Sequence, residues 1–207
     1  MNKGVIIAII AAVIAVGGFL ASPLFYATEV EEPLPVALDK IEQGLTLEKF
    51  SDMNEQERQI LVDKMPESVK DMIMEESATL QTTVSEEMND MMGKDSSEQT
   101  GPKIIKTGEF EGLAGHHAQG IAKIIQVNDM TFLRFENFEV TNGPDLRVYI
   151  TIGGDVHQGV QLEKLKGSKG DQNYLLENID LGVYDTVVIY CQPFGVYFGR
   201  ASLNESN

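Results

Sequence analysis

The sequence predicts a mainly β C-terminal domain, an antiparallel β-sandwich or barrel-like sheet, preceded by an α-helical stalk and an N-terminal transmembrane helix. Three observations support this fold class. Residues 4–21 carry no charged side chain, residues 47–93 are acidic with apolar residues at helical spacing, and residues 105–203 consist of short alternating runs punctuated by glycine. The chain of 207 residues is long enough for one ordinary domain with an appendage.

The N-terminal segment, residues 1–28, is predicted to be a membrane anchor. Its uncharged run of 18 residues is close to the length that crosses a bilayer core as a helix. A cleaved signal peptide and a soluble protein are the alternatives. Signal peptides have shorter apolar cores that end in small residues, whereas the nearest cleavage sites here place Phe19 or Phe25 where a small residue is preferred. We therefore expect the chain to associate with a membrane through residues 4–21.

The charges that flank this run predict its orientation. Lys3 precedes the run, and Glu29, Glu31 and Glu32 follow it. Because the positive flank stays in the cytoplasm, the N-terminus should be cytoplasmic and the bulk of the chain extracytoplasmic, in a single-pass protein of the cell membrane.

The net charge of −16 is concentrated in one part of the chain. Residues 29–100 hold 19 Asp or Glu and 6 Lys or Arg. Nucleic acids are bound by surfaces rich in Lys and Arg, so this distribution excludes a nucleic-acid partner.

The middle of the chain is predicted to contain two or three helices between two linkers. Residues 29–46 are acidic with two prolines and are expected to be an extended linker, and residues 94–104 are a polar linker. Within the acidic, Met-rich helical segment, residues 47–93, Asp52 and Glu55 have the spacing of a capping box. Pro66 is placed at the start of the next helix, and apolar residues follow it at helical spacing. These residues are Val69, Met72, Ile73 and Leu80.

Seven of the nine methionines lie in this helical segment. They are Met53, Met65, Met72, Met74, Met88, Met91 and Met92. Thioethers bind Cu(I), so a copper site is one interpretation. Methionine also packs irregular apolar surfaces, and the spacing lacks a dense repeated pattern, so packing is the interpretation we favour.

The C-terminal part alternates as β-strands do. The predicted strands are Thr107 to Glu111, Gln119 to Val127, Thr131 to Phe138, Leu146 to Ile152, Thr186 to Cys191 and Val196 to Leu203. Asn128 and Asp129 are predicted to form the turn between the second and third strands. The fifth is apolar on both faces, so we expect it to be central, with Cys191 at its end. Residues 204–207 are a short tail.

Alternation also predicts which side chains of two strands face the core. In the third strand these are Leu133 and Phe135, while Arg134 and Glu136 face outward. In the fourth strand Val148, Ile150 and Ile152 should face one side, and Arg147, Tyr149 and Thr151 the other.

Four segments in this region together resemble the DM13 domain family. They are residues 143–150 (GPDLRVYI), 162–167 (LEKLKG) with 170–174 (GDQNY), 188–191 (VIYC) and 194–203 (FGVYFGRASL). The resemblance covers about residues 105–203. The sequence departs from the family pattern at Tyr190, where tryptophan is expected, and at Glu163, where glycine is expected.

The resemblance implies a small β-sandwich that accompanies extracytoplasmic and redox-associated modules such as DOMON domains. It also implies a role in electron transfer, with Cys191 as the redox-active thiol. From the residues alone, we favour a buried cysteine that acts as a small apolar side chain, because nothing adjacent in sequence lowers its pKa, and only the resemblance makes the redox role an equal alternative. As the single cysteine of the chain, it could also pair with another molecule.

The histidines are the weak candidates for a metal site. A copper site of the cupredoxin type needs two histidines with the cysteine, generally with one just downstream. His116, His117 and His157 all lie upstream of Cys191. Adjacent histidines on a strand point to opposite faces, so His116 and His117 would have to lie in a loop to bind one ion. Asp145 and Asp171 follow turn-forming residues and are expected to bond their own backbone.

Three hypotheses about function follow. The first is a membrane-tethered module that takes part in electron transfer or redox partnering through Cys191. The second is a non-catalytic protein-binding or adhesion module of the cell envelope, and the third is copper or other metal binding through the methionines or histidines. No catalytic triad, phosphate-binding loop or catalytic carboxylate pair is present in the sequence, so we expect no independent catalytic activity, and no cofactor is indicated.

Overall fold

The computed structural model describes residues 43–88 and 101–206. All of them belong to one compact unit, Leu34–Asn207. The predicted anchor, residues 4–21, and most of the first linker lie outside the described residues. Within the described part of the chain, no helix is long and apolar enough to cross a bilayer.

The C-terminal region is an antiparallel sheet of nine strands. They are β1 (Lys103–Gly112), β2 (Ala118–Val127), β3 (Met130–Val140), β4 (Leu146–Ile152), β5 (Asp155–Lys164), β6 (Gln172–Leu176), β7 (Thr186–Cys191), β8 (Val196–Ser202) and β9 (Asn204–Glu205). Their order is β5-β4-β7-β8-β1-β2-β3-β6, and β9 pairs with β1. The two end strands, β5 and β6, approach each other, so the sheet is nearly closed into a barrel.

The core of this barrel lies on the inward faces of the strands. Its fully buried members include Ile124, Leu133, Phe135, Val148, Ile150, Tyr174, Ile189 and Phe198. The rings of Phe110, Phe135 and Phe138 lie 4.8 Å apart, centroid to centroid, in each pairing. The alternation of the sequence therefore places one side of each strand in a single apolar core.

All six predicted strands are present, and β7 lies in the sheet interior between β4 and β8, as expected. The turn after β2 is confirmed at Asn128, whose φ is 54°. Three strands were not predicted. β5 is largely exposed and lacks an apolar alternation, and β9 has only two residues. In β6, Gln172 and Asn173 are buried polar side chains, which interrupts the apolar pattern of a strand.

Two side chains on the outward faces of strands are buried. Thr151 of β4 is fully buried and its Oγ1 donates a 3.0 Å hydrogen bond to the backbone oxygen of Thr186, whereas Ile152 at the strand end is exposed. Arg134 lies on the side of β3 opposite the core residues Leu133 and Phe135, as predicted, but it is buried. Its Nη2 donates to Asp171 Oδ2 at 3.0 Å and its Nη1 to Asn173 Oδ1 at 2.8 Å. Long-range polar partners therefore decide both cases.

Three helices precede the barrel: α1 (Leu47–Asp52), α2 (Glu55–Lys64) and α3 (Glu67–Thr79). The N-cap of α2 is Asn54, whose Oδ1 accepts a 2.9 Å hydrogen bond from the backbone N–H of Glu57. The predicted capping box at Asp52 is therefore wrong by two residues. The helices share a small core, whose buried members are Leu45, Phe50, Val62, Met65, Val69 and Ile73.

The last described α-helix, α3, ends at Thr79, and residues 89–93 of the predicted helical segment lie outside the described residues. Residues 82–86 then run in extended conformation along the barrel, where the backbone N–H groups of Val84 and Glu86 donate to the carbonyl oxygens of Lys169 and Asp171, both at 2.9 Å. Gly170 lies inside this contact, with φ +106° and the backbone of Val84 against its α-carbon. The segment before the barrel is thus packed against it.

Candidate functional site

Cys191 lies at the end of β7 with no exposed surface. It pairs with Leu146 of β4 on one side and with Val196 of β8 on the other. Leu146 is buried and Val196 is half-buried in the same core. The thiol is therefore enclosed on the inner face of the barrel.

Burial determines the protonation of this thiol. It raises the pKa of Cys191 to about 12, opposed by a hydrogen bond from the Phe194 backbone and by the charge of Arg58, and reinforced by the charge of Asp145. At pH 7 the thiol is then almost entirely protonated. Because the thiolate is the reactive form, Cys191 is unreactive while it stays enclosed.

A buried ion pair lies beside Cys191. Asp145 Oδ2 accepts 2.8 Å hydrogen bonds from Arg58 Nη1 in α2 and from Arg147 Nη2 in β4. The side chains of Arg58 and Asp145 are 3% and 2% exposed. The expectation that Asp145 bonds its own backbone is wrong, because its carboxylate joins the helices to the barrel.

Further contacts from the helices surround this pair. Arg58 also donates to the carbonyl oxygen of Ser51 at 3.2 Å and pairs with Glu55. Ser51 Oγ donates a 2.9 Å hydrogen bond to the carbonyl oxygen of Pro144. We call residues 47–64, which comprise α1 and α2, the helical cap.

An aromatic contact also joins the helical cap to the barrel near Cys191. The rings of Phe50 in α1 and Phe194 lie 6.2 Å apart, centroid to centroid. Phe194 belongs to the tight turn that joins β7 to β8, and the backbone N–H of Gly195 in that turn donates to the carbonyl oxygen of Cys191 at 3.0 Å. The helical cap thus contacts the barrel at two points near Cys191, one at Asp145 and one at Phe194.

The three histidines are dispersed. The ring of His116 stacks on Phe198 at a centroid distance of 3.7 Å and an interplanar angle of 5°, and burial lowers its pKa below the usual value. His117 follows it in the β1–β2 loop and is exposed, and His157 is exposed on β5. In the part of the chain that the structure describes, no three His, Cys, Asp or Glu side chains are grouped so that they could hold a metal ion.

The described methionines of the helical segment belong to different apolar clusters. Met65 is buried among the helices, with Met53 and Met72 beside it. Met74 packs against the barrel core, and Met88 packs near Ile125 and Val127. Met91 and Met92 lie outside the described residues. These positions fit the packing interpretation.

The outer face of the sheet carries a cluster of tyrosines that was not predicted from the sequence. The centroids of the Tyr149 and Tyr190 rings are 5.9 Å apart, and those of Tyr190 and Tyr197 are 5.1 Å apart. Tyr190 is the residue that replaces the expected tryptophan, and it points away from Cys191 because neighbouring strand residues face opposite sides. The alternation of β4, β7 and β8 was a usable signal for this cluster.

Asp171 is also a structural carboxylate. Besides its pairing with Arg134, its Oδ1 accepts a 2.8 Å hydrogen bond from the backbone N–H of Asn137. The expectation that it bonds its own backbone is therefore wrong as well.

The comparison with protein families concerns the same β domain. Residues 109–203 match the family described as Electron transfer DM13. The β domain is a DM13 domain. The match contains all the segments on which the resemblance rested, and Cys191 with them, while α1 to α3 lie before it. No curated protein and no solved structure matches the chain.

Proposed function

We propose that this chain is a membrane-tethered, extracytoplasmic electron-transfer module whose redox group is Cys191. The description of the DM13 family as an electron-transfer domain supports the reaction class. The observation that carries the choice of residue is the position of the only cysteine of the chain, at the end of the central strand β7 within that domain. The apolar run at residues 4–21 and its flanking charges support the tether and the orientation.

The burial of Cys191 makes the described conformation the resting state of the proposed module. A thiol with a pKa near 12 does not attack a disulfide at neutral pH. The redox step therefore requires an opened state in which water reaches the sulfur. The contacts that must loosen are those of the helical cap with Asp145 and of Phe50 with Phe194.

A single thiol can exchange with a disulfide of a partner. The opened Cys191 loses its proton and attacks one partner sulfur, so that a mixed disulfide forms and the other partner sulfur leaves as a thiolate, which takes up a proton. The partner disulfide is the oxidant in this exchange.

The redox proposal is tested by trapping partners on Cys191. Cells that produce the full chain are treated with acid to quench exchange, and their proteins are separated without reductant. We expect a disulfide-linked species in the wild type that disappears on reduction and is absent from Cys191→Ser. Identical patterns for the two proteins would refute the redox role.

Membrane tethering is tested separately by protease treatment of intact cells. We expect fragments beyond residue 28 to be released, while the N-terminal segment stays with the membrane. Complete protection of residues 43–206 would contradict the proposed orientation.

A non-catalytic binding module is the second candidate, and the full burial of Cys191 favours it. In that case partner capture is unaffected by Cys191→Ser. It depends instead on surface residues of the barrel or of the helices.

A further inference from the structure

A groove of about 480 Å³ lies between α3 and the β1–β2 and β7–β8 loops of the barrel. Its apolar lining comes from Met74 of α3 and from Phe194 and Val196 beside Cys191, all of them half-buried. This volume is enough for one or two side chains of a partner.

The α3 side of the groove is negatively charged. Glu67, Asp71 and Glu75 line it at four-residue spacing, which places them on one face of the helix. Lys70 also lines this side, where it forms a 3.4 Å ion pair with Glu67, so the three carboxylates exceed the one ammonium group. Asp71 and Glu75 are exposed, and neither makes an ion pair or hydrogen bond within the described residues.

The opposite side of the groove contributes no compensating cation. His116 lines it, and its ring lies flat on Phe198. Burial lowers the pKa of His116, which favours its neutral form. The groove therefore combines an apolar surface with two carboxylates, Asp71 and Glu75, that make no ion pair or hydrogen bond among residues 43–88 and 101–206.

We propose that this groove binds a segment of a partner protein in which an apolar side chain is flanked by lysine or arginine. The apolar side chain would pack on Met74 and Phe194, and the cationic groups would pair with Asp71 and Glu75. The proposal requires no chemistry at Cys191, and it gives the second candidate function, a protein-binding module, a specific surface and class of partner.

Charge argues against the chain itself as the occupant. Residues 29–42 hold five Asp or Glu and one Lys, and residues 89–100 hold three Asp or Glu and one Lys. A second copy carries the same net charge of −16. Like charges would oppose each of these contacts, whereas a basic partner segment complements the groove.

The test uses the full chain, labelled with ¹³C at the methionine methyl groups, in nanodiscs of zwitterionic lipid. The probe is a blocked hexapeptide of alternating lysine and leucine, with alternating lysine and serine as its control. We expect saturable shifts of the Met74 methyl resonance and none at Met130, which lies at the start of β3 and outside the groove. The lysine–serine peptide should bind about ten-fold or more weakly, because it lacks the apolar side chain.

Charge variants identify the groove as the binding site. The double variant Asp71→Lys with Glu75→Lys should bind the lysine–leucine peptide with an affinity lower by about ten-fold or more. Glu109→Lys with Asp129→Lys changes the net charge equally at two exposed positions outside the groove and should leave the affinity within about two-fold. Asp71→Asn with Glu75→Gln provides a milder version of the first pair. Equal losses in the groove and control pairs, equal binding of both peptides, or no shift at Met74 would overturn the proposal.

Discussion

Arg58 of α2 and Asp145 of the barrel form a 2.8 Å ion pair in which both side chains are almost completely buried. The pair joins residues that are 87 positions apart in the sequence. It joins the helical cap to the barrel next to Cys191, so we expect the stability of this pair to govern access to the thiol.

The first prediction concerns this pair. Arg58→Met keeps much of the side-chain volume but removes the charge. It should lower the free energy of unfolding by about 3 kcal/mol, which is the low end of the range for breaking a buried ion pair. The low end is expected because Asp145 still pairs with Arg147 in the variant. Urea denaturation of the full chain measures the change. Lys64→Met, at an exposed position in the same helix, is the control and should cost less than about 0.5 kcal/mol. Equal effects would contradict the role of Arg58.

The second prediction concerns the start of α2. Asn54→Ala removes the acceptor for the Glu57 N–H and should cost about 1 kcal/mol of unfolding free energy. Asp52→Ala removes only an exposed ion pair with Lys164 and should cost under about 0.5 kcal/mol. The two variants, compared by chemical denaturation, separate the observed cap from the one that the sequence predicted. A larger loss of stability in Asp52→Ala than in Asn54→Ala would instead favour Asp52 as the N-cap residue.

The third prediction tests the packing of residues 82–86 on the barrel. A β-carbon at Gly170 would lie 1.9 Å from the backbone oxygen of Val84. Gly170→Ala should therefore destabilise the protein by about 2 kcal/mol or more and speed amide exchange at Val84 and Glu86. Gly115→Ala shares the positive φ but meets no atom within 4 Å, so it reports backbone strain alone. If the two variants lost equal stability, residues 82–86 would not be packed as described.

The fourth prediction concerns pH. Burial raises the pKa of Cys191 from 9.0 to about 12, so between these values the thiol ionises in the unfolded chain but not in the folded one. Its stabilising contribution is complete below pH 9 and is lost as the pH rises toward 12, by about 1.4 kcal/mol per unit. Denaturation at pH 7.5 and pH 10 should show a steeper loss for the wild type than for Cys191→Ala. Parallel losses would mean that the thiol is not enclosed.

Much of the barrel could be predicted from the sequence, because its central strands alternate. The boundaries of β4 and β7 agree with the prediction, and the interior position of β7 follows from its apolar character on both faces. β5 and β6 could not be predicted, since β5 is exposed and β6 buries Gln172. That amide donates from Nε2 to the carbonyl oxygen of Gly167 at 2.8 Å and accepts from the Gly167 N–H.

The candidate site could be predicted only in part. The family resemblance identified Cys191, and its burial was one of two interpretations left open. The contacts of Arg58, Ser51 and Phe50 with the barrel carry no local signal, because each joins residues separated by more than 85 positions. For the same reason, the sequence predicted Asp145 to be a turn residue, not the partner of two arginines.

The most direct test of whether Cys191 is a redox thiol reached through the helical cap is its rate of reaction with 5,5′-dithiobis(2-nitrobenzoic acid) in the folded full chain. That rate is compared with the rate of global unfolding under the same conditions. We expect the reaction to be slow but about ten-fold or more faster than unfolding, and to be accelerated further in Arg58→Met but not in Lys64→Met. A reaction no faster than global unfolding in all three proteins would contradict a redox thiol that is reached through the helical cap.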